Sequence, residues 1–193
     1  PERGFSFQTK GPLDMRFNQE QKLTCKDIIE NYSEKEIATI LWKFGEEKES
    51  RRIAKLIVKQ REQNAIDNTL ILAEIIKTAK TVKTKKHPAT KSFQALRMAV
   101  NSEFENLTTC LERIKDKLTK SGKLVIITFH SLEDRIAKQT FKPKINFHEK
   151  NLPLIHEDVS DKFKISKIIY PSQEEISMNP RARSAKMRII EKL

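Results

Sequence analysis

Hydrophobic positions follow a helical period through the first half of the chain. Within residues 24–80, apolar side chains recur three or four residues apart in three groups. The groups are Ile37-Ile40-Leu41-Phe44, Ile53-Leu56-Ile57 and Leu72-Ile75-Ile76-Ala79. They predict three short amphipathic helices. Residues 1–18 mix glycine, proline and aromatic residues without a period, which is typical of an ordered loop.

The longest periodic stretch follows His87-Pro88. Eight apolar side chains in residues 93–118 step by three or four, which predicts one long helix closed by Ser121-Gly122. Residues 124–129 then form a continuous apolar run rich in β-branched side chains. Such a run predicts a strand that is covered on both faces in a parallel sheet.

A capping pattern marks the start of the next helix. We expect Ser131 to be the N-cap and Asp134 to reach back to its amide, with helix over residues 132–141. Two further strands are predicted at residues 162–169 and 185–191, where they form a C-terminal hairpin. The patterns together indicate an α/β fold.

The charge favours a polyanionic partner. The net charge is +12, and Lys and Arg are attracted to phosphates, so nucleic acid is the leading candidate. The alternative is that these lysines form an ordinary solvated surface. Residues 77–97 contain seven basic side chains and no acidic one, so this stretch is the candidate nucleic-acid footprint.

Several classes of protein are excluded by composition. The two cysteines lie far apart and the four histidines form no metal-binding pair, so neither a disulfide framework nor a metal is expected. No apolar run is long enough to cross a membrane and no signal peptide is visible, which predicts a soluble cytoplasmic protein. The four glycines stand alone, so no phosphate-binding loop is expected.

Four residues have positions that suit a binding site. His130 lies between a strand and a helix N-terminus, where open α/β sheets bind ligands; it either touches substrate or is a neutral histidine hydrogen-bonded into its loop. Arg181 and Arg183 precede a strand and either capture phosphate or pair with carboxylates. Asp14 either orients a polar substrate group or hydrogen-bonds its own turn.

Six segments, taken in order, resemble the RsmH (MraW) family. They are residues 2–7, 11–16, 44–47, 87–97, 121–135 and 179–184, and the resemblance spans nearly the whole chain. It implies an S-adenosylmethionine-dependent methyltransferase that acts on the exocyclic N4 of a cytidine in the decoding region of small-subunit ribosomal RNA. The implied partner is therefore the 16S RNA of the 30S subunit.

The resemblance also implies a domain organisation. Residues 1–18 would be a loop of the methyltransferase domain, residues 19–86 a helical substrate-recognition insertion, and residues 87–193 the C-terminal part of a Rossmann-like sheet. The family's glycine-rich cofactor loop lies upstream of the segment that begins at Glu2. We therefore expect the S-adenosylmethionine contacts upstream of Pro1 and none in these residues.

Residue roles follow from loop position within the resemblance. Asp14 and His130 are the expected catalytic residues around the cytidine amino group and are expected to face one crevice. Phosphate contacts are expected from Arg16, Lys83, Lys85, Lys86, Arg181 and Arg183. Two alternatives stay open: a truncated, non-catalytic module that binds ribosomal RNA, and a homodimer formed through an exposed sheet edge.

Overall fold

The computed structural model describes residues 2–82, 87–142 and 163–193. In these ranges the protein is a mixed α/β structure with eight α-helices and one three-stranded sheet. It divides into two compact units, Pro1–Glu103 and Phe104–Leu193. None of the helices in these ranges is long and apolar enough to span a membrane.

The first unit is helical. Its described residues form five complete helices, α1 (Cys25–Asn31), α2 (Glu34–Gly45), α3 (Ser50–Gln63), α4 (Thr69–Ala79) and α5 (Thr90–Val100). Helix α2 packs against α3 and α5, and α4 packs against α3. The close contact of α2 with α5 requires a glycine, because a Cβ atom on Gly45 would lie 2.7 Å from the carbonyl oxygen of Lys91.

The prediction of three helices within residues 24–80 is wrong by one. The additional helix, α1, begins at Cys25 and is capped by Thr24, which forms a capping box with Asp27. Ile28 and Ile29 are fully buried. A seven-residue helix makes fewer than two turns, so it is too short to display the apolar period by which the other helices were predicted.

The predicted long helix is two helices. Helix α5 ends at Val100, and α6 (Glu103–Lys117) begins after a break at Ser102, whose φ of 46° is left-handed. The side chain of Asn101 donates to the carbonyl oxygens of Met15 and Arg97, both over 2.8 Å. The apolar period continues through the break because each helix buries its own stripe, so it does not reveal the interruption.

The second unit contains the sheet. After α6 come β1 (Lys123–Thr128), α7 (Ser131–Thr140), β2 (Phe163–Ile165), α8 (Gln173–Met178), a 3-10 helix (Pro180–Ser184) and β3 (Lys186–Lys192). The strand order is β1-β3-β2 and both pairings are antiparallel. The two predicted C-terminal strands are present and pair with each other, although β2 is shorter than expected and residue 162 lies outside the described ranges. The expected hairpin is wrong, because α8 and the 3-10 helix lie between the two strands.

The expectation that β1 is a parallel strand covered on both faces is wrong for the described residues. Leu124 and Ile126 pack on a core of Leu111, Ala137, Phe141 and Ile190. On the other face, Val125 and Ile127 are 54% and 58% exposed. A continuous apolar run does not distinguish a strand with two covered faces from one whose second face is apolar and open.

Candidate functional site

A clamp between Asp14 and Arg16 dominates the loop that precedes α1. Asp14 Oδ1 accepts from the Nε of Arg16 over 2.7 Å, and Oδ2 accepts from Nη2 over 2.9 Å. The Arg16 Nη1 group donates to the carbonyl oxygens of Gln19 and Gln21. These hydrogen bonds from Arg16 hold the pKa of Asp14 below its usual value and raise that of Arg16. Asp14 is therefore a charged carboxylate, and Arg16 is turned into its own loop.

The backbone of this loop is fixed from both sides. Met15 has a left-handed φ of 62° and is buried, and its N–H donates to the carbonyl oxygen of Arg3 over 2.9 Å. The amide of Asn101 donates to the Met15 carbonyl, and its Oδ1 accepts from the N–H of Phe17 over 2.7 Å. The Met15 N–H, the Met15 carbonyl and the Phe17 N–H thus each have a hydrogen-bond partner.

The segment of residues 2–7 lies directly against the loop. Gly4 has a φ of 70°, and a Cβ atom there would collide with the carbonyl oxygen of Pro12. Phe5 stacks on Phe17 with ring centroids 5.5 Å apart, and the guanidinium of Arg3 lies 5.3 Å from the Phe5 ring centroid. Phe17 nevertheless remains 55% exposed. The loop and the segment of residues 2–7 therefore present an exposed aromatic ring and a cation side by side.

His130, in the second unit, is the N-cap of α7. Its Nδ1 accepts from the N–H of Glu133 over 3.4 Å, and its Nε2 lies 2.9 Å from Glu133 Oε1. The other carboxylate oxygen of Glu133 accepts from the N–H of Phe129. Burial acts to raise the pKa of Glu133, but the His130 and Phe129 contacts outweigh it, so the pKa is below its usual value. The imidazole and the Glu133 carboxylate are thus in direct contact.

The expected capping box at Ser131 is wrong. Ser131 is the first residue of α7, and the preceding His130 caps the helix. The Asp134 carboxylate accepts from the Nε and Nη2 of Arg188, over 2.6 and 3.0 Å. A charged guanidinium from β3 is a stronger partner than a backbone amide, and this tertiary contact could not be read from local spacing.

The two arginines after Asn179 are exposed. The side chain of Asn179 accepts from the N–H of Arg181 at the start of the 3-10 helix, and Ala182 is buried between the two arginines. Among the residues that the structure describes, the side chains of Arg181 and Arg183 have no hydrogen-bond or ion-pair partner. Both guanidiniums can therefore bind an anion.

The stretch of residues 77–97 contains no acidic residue, but the fold places glutamates from outside the stretch next to it. Three of its basic side chains form ion pairs: Lys77 with Glu74 at 3.1 Å, Lys80 with Glu47 at 2.8 Å and Arg97 with Glu103 at 2.7 Å. Lys91 donates to the carbonyl oxygen of Glu46. The fold brings glutamates to this stretch and reduces its strength as a footprint. Lys83, Lys85 and Lys86 lie outside the described residues.

The structure also has a basic surface that was not predicted from the sequence. Arg51, Arg52, Lys55 and Lys59 are exposed on one side of α3, and no ion pair holds any of them in the part of the chain that the structure describes. Arg51, Lys55 and Lys59 are spaced i, i+4, i+8, so they share one face. That spacing was available in the sequence, but nearby glutamates hid it from a search for acid-free stretches.

Asp14 and His130 lie in different compact units. Their expected meeting in one crevice therefore stays a prediction. No group of three or more His, Cys, Asp or Glu side chains within the described ranges is arranged to hold a metal ion.

Comparison with known proteins shows the family to which the chain belongs. Residues 1–193 match the model of the MraW methylase family, and the chain belongs to that family. It is 42% identical to the ribosomal RNA small subunit methyltransferase H of Coxiella burnetii (strain Dugway 5J108-111), over 99% of this chain and 63% of the relative. The proteins of that name from Streptococcus mutans and Fusobacterium nucleatum are also 42% identical, over 100% of this chain and 63% of each relative. The chain thus spans less than two thirds of these relatives.

Proposed function

We propose that the protein containing this chain methylates small-subunit ribosomal RNA in the cytoplasm, on the exocyclic N4 of a cytidine in the decoding region. The observation that carries this proposal is the family match over residues 1–193 together with 42% identity to proteins named ribosomal RNA small subunit methyltransferase H. Two exposed basic surfaces, on α3 and on the 3-10 helix, support an RNA partner because each offers cations to phosphates.

The methyl donor is proposed to be S-adenosylmethionine, whose sulfonium supplies an electrophilic methyl group. Gly4, Gly45 and Gly122 each lie against the chain's own backbone, where a Cβ atom would meet a carbonyl oxygen, so none of them leaves space for a cofactor. We therefore assign no cofactor contact to this chain.

We propose that this chain helps to orient the base. The lone pair of a cytidine amino group is delocalised into the ring, so catalysis depends on holding the nitrogen in position and accepting hydrogen bonds from its N–H groups. Asp14 is suited to accept, because each carboxylate oxygen has two acceptor sites and Arg16 leaves Oδ2 with one. His130, capping α7 and facing Glu133, is proposed to orient the site.

We also propose that the sheet continues as a Rossmann-like methyltransferase sheet. Within the described residues β1 pairs only with β3, and its second face exposes Val125 and Ile127. Strands that continue the sheet would pair with the second edge of β1, and helices packed on the second face would cover these two side chains. The proposed helical insertion at residues 19–86 is consistent with the helices α1 to α4. A homodimer through the β1 edge is the competing proposal, and molecular mass in solution distinguishes the two.

The test is single-turnover methyl transfer from S-adenosylmethionine to undermethylated 30S subunits, using a protein of the full length of its relatives. We expect transfer to a cytidine N4, a loss of about 100-fold in Asp14→Asn and about tenfold in His130→Ala. Asp67→Asn is the matched control, because Asp67 is an exposed carboxylate of the same unit. Retained RNA binding without transfer would favour the non-catalytic module instead.

A further inference from the structure

Phe17 is an exposed aromatic ring on a backbone that cannot move freely. Its own N–H is held by Asn101, and the two residues before it are fixed by the Arg3 carbonyl and by the Asp14 clamp. Single exposed apolar side chains are common on protein surfaces. Here, however, hydrogen bonds to Asn101, the Arg3 carbonyl and Asp14 fix the backbone that carries the exposed ring.

The Phe5 ring supports Phe17 from behind. The two rings are 5.5 Å apart and inclined by only 22°, so they are stacked. Because one face of Phe17 lies against Phe5, the exposed half of the ring is its other face and its edge. A rigid, backed ring loses little conformational entropy when a second planar group stacks on it.

A cation stands beside this aromatic pair. The Arg3 guanidinium lies 5.3 Å from the Phe5 centroid, its side chain is exposed, and no carboxylate pairs with it among the residues described. An aromatic platform next to an unpaired cation is the combination with which proteins bind single-stranded nucleic acid, the ring taking a base and the cation a phosphate.

Trp42 shows that exposure alone does not make such a platform. It is 59% exposed on α2, but within the described ranges no ring stacks on it and it lies in the middle of a regular helix. It therefore serves as the internal comparison for Phe17.

We propose that Phe17, backed by Phe5 and flanked by Arg3, stacks on an unpaired base of the RNA substrate. This inference rests on the proposed function, which supplies the RNA. It adds the binding mode: the base must be out of its helix, because only an unstacked base offers a free face.

A single fluorescent reporter tests this. Trp42 is the only tryptophan, so Trp42→Phe combined with Phe17→Trp moves the reporter to the platform. We expect an oligocytidylate of eight nucleotides to quench this reporter strongly, and an abasic oligomer of the same length to quench it several-fold less. Trp42 in the unsubstituted chain should respond to neither. Equal quenching by the two oligomers, or none by the oligocytidylate, would overturn the platform.

Affinity provides the second measurement. Phe17→Leu should weaken oligocytidylate binding by about five- to hundredfold, the range for loss of one stacked base. Phe17→Trp should bind as tightly as the unsubstituted chain, and Trp42→Leu is the control. Unchanged affinity in Phe17→Leu contradicts the proposal. If stacking is seen but the longer protein transfers no methyl group, the proposed function fails while the platform stands.

Discussion

The guanidinium of Arg188 in β3 donates to both carboxylate oxygens of Asp134 in α7, over 2.6 and 3.0 Å. Both side chains are largely buried, and the Nη1 of Arg188 also donates to the carbonyl oxygen of Ser166 beyond β2. One side chain therefore joins the helix, the central strand and the segment that follows the edge strand.

This contact predicts an acid sensitivity of the second unit. The hydrogen bonds from Arg188 lower the pKa of Asp134. A lowered carboxyl pKa means that the contact stabilises the fold above the unfolded value of about 3.9, and that this stabilisation is lost as the pH falls towards the folded pKa. Asp134→Asn should lower the free energy of unfolding by about 3 kcal/mol at pH 7.

Urea unfolding from pH 7 down to pH 3 measures that difference. It should be constant above about pH 5 and shrink below about pH 3.9. Asp116→Asn, at an exposed position of α6, is the control and should leave stability unchanged. A difference that stays the same at pH 3 would show that the ion pair is not its cause.

Asn101 is predicted to hold the loop of residues 12–18. Asn101→Ala leaves the Phe17 N–H and the Met15 carbonyl without their partner, which should destabilise the first unit by about 1–3 kcal/mol. In the same variant, hydrogen exchange of the Phe17 amide should become faster. Asn64→Ala, at the exposed C-cap of α3, should change neither quantity. Unchanged protection of the Phe17 amide in Asn101→Ala would mean that the loop is held elsewhere.

The basic face of α3 is predicted to contribute to the salt dependence of RNA binding. Replacing Arg51, Lys55 and Lys59 by Ala should reduce the slope of log affinity against log salt by about two units for single-stranded RNA, if each contacts one phosphate. The single substitution Lys77→Ala is the control for the single substitution Lys55→Ala, because the Lys77 ammonium group is already paired with Glu74. Replacing Lys83, Lys85 and Lys86 by Ala tests the footprint that was expected from the sequence. For each of the two sets of residues, an unchanged slope would mean that the set is solvated surface.

The two cysteines should differ in reactivity. Cys25 is fully buried, and burial raises the pKa of its thiol, whereas Cys110 is exposed on α6. Thiolate is the reactive form, so a disulfide reagent should modify one thiol per native chain within minutes and the second only after unfolding. Cys110→Ser should leave no fast thiol. Two fast thiols in the native chain would contradict the burial of Cys25.

Local sequence patterns predicted most elements of the fold. They failed where a contact between residues far apart in the sequence determines the structure. The helices α2, α3 and α4 follow from periodicity, since each buries one regular stripe. The break at Ser102 depends on Asn101 bonding to Met15, a residue 86 positions away. No pattern local to residues 93–118 contains that information.

The candidate site shows the same division. Family-like loop positions selected Asp14 and His130, but their partners, Arg16 and Glu133, determine what each side chain can do. The acid-free stretch of residues 77–97 was judged along the sequence alone, and Glu47 reaches Lys80 across the helical unit. The pairing of opposite charges is set by packing, which composition does not record.

The central place of β3 in its sheet has a consequence for biosynthesis. Within the described residues β1 and β2 pair only with β3, which follows both of them in the chain. Thr128 at the end of β1 and Lys186 at the start of β3 are 58 residues apart. At about 5–20 residues per second, a ribosome needs roughly 3–12 seconds to cover that separation. During that interval the apolar strand β1 is a nascent segment without its partner, and a chaperone at the ribosomal exit would meet it in that state.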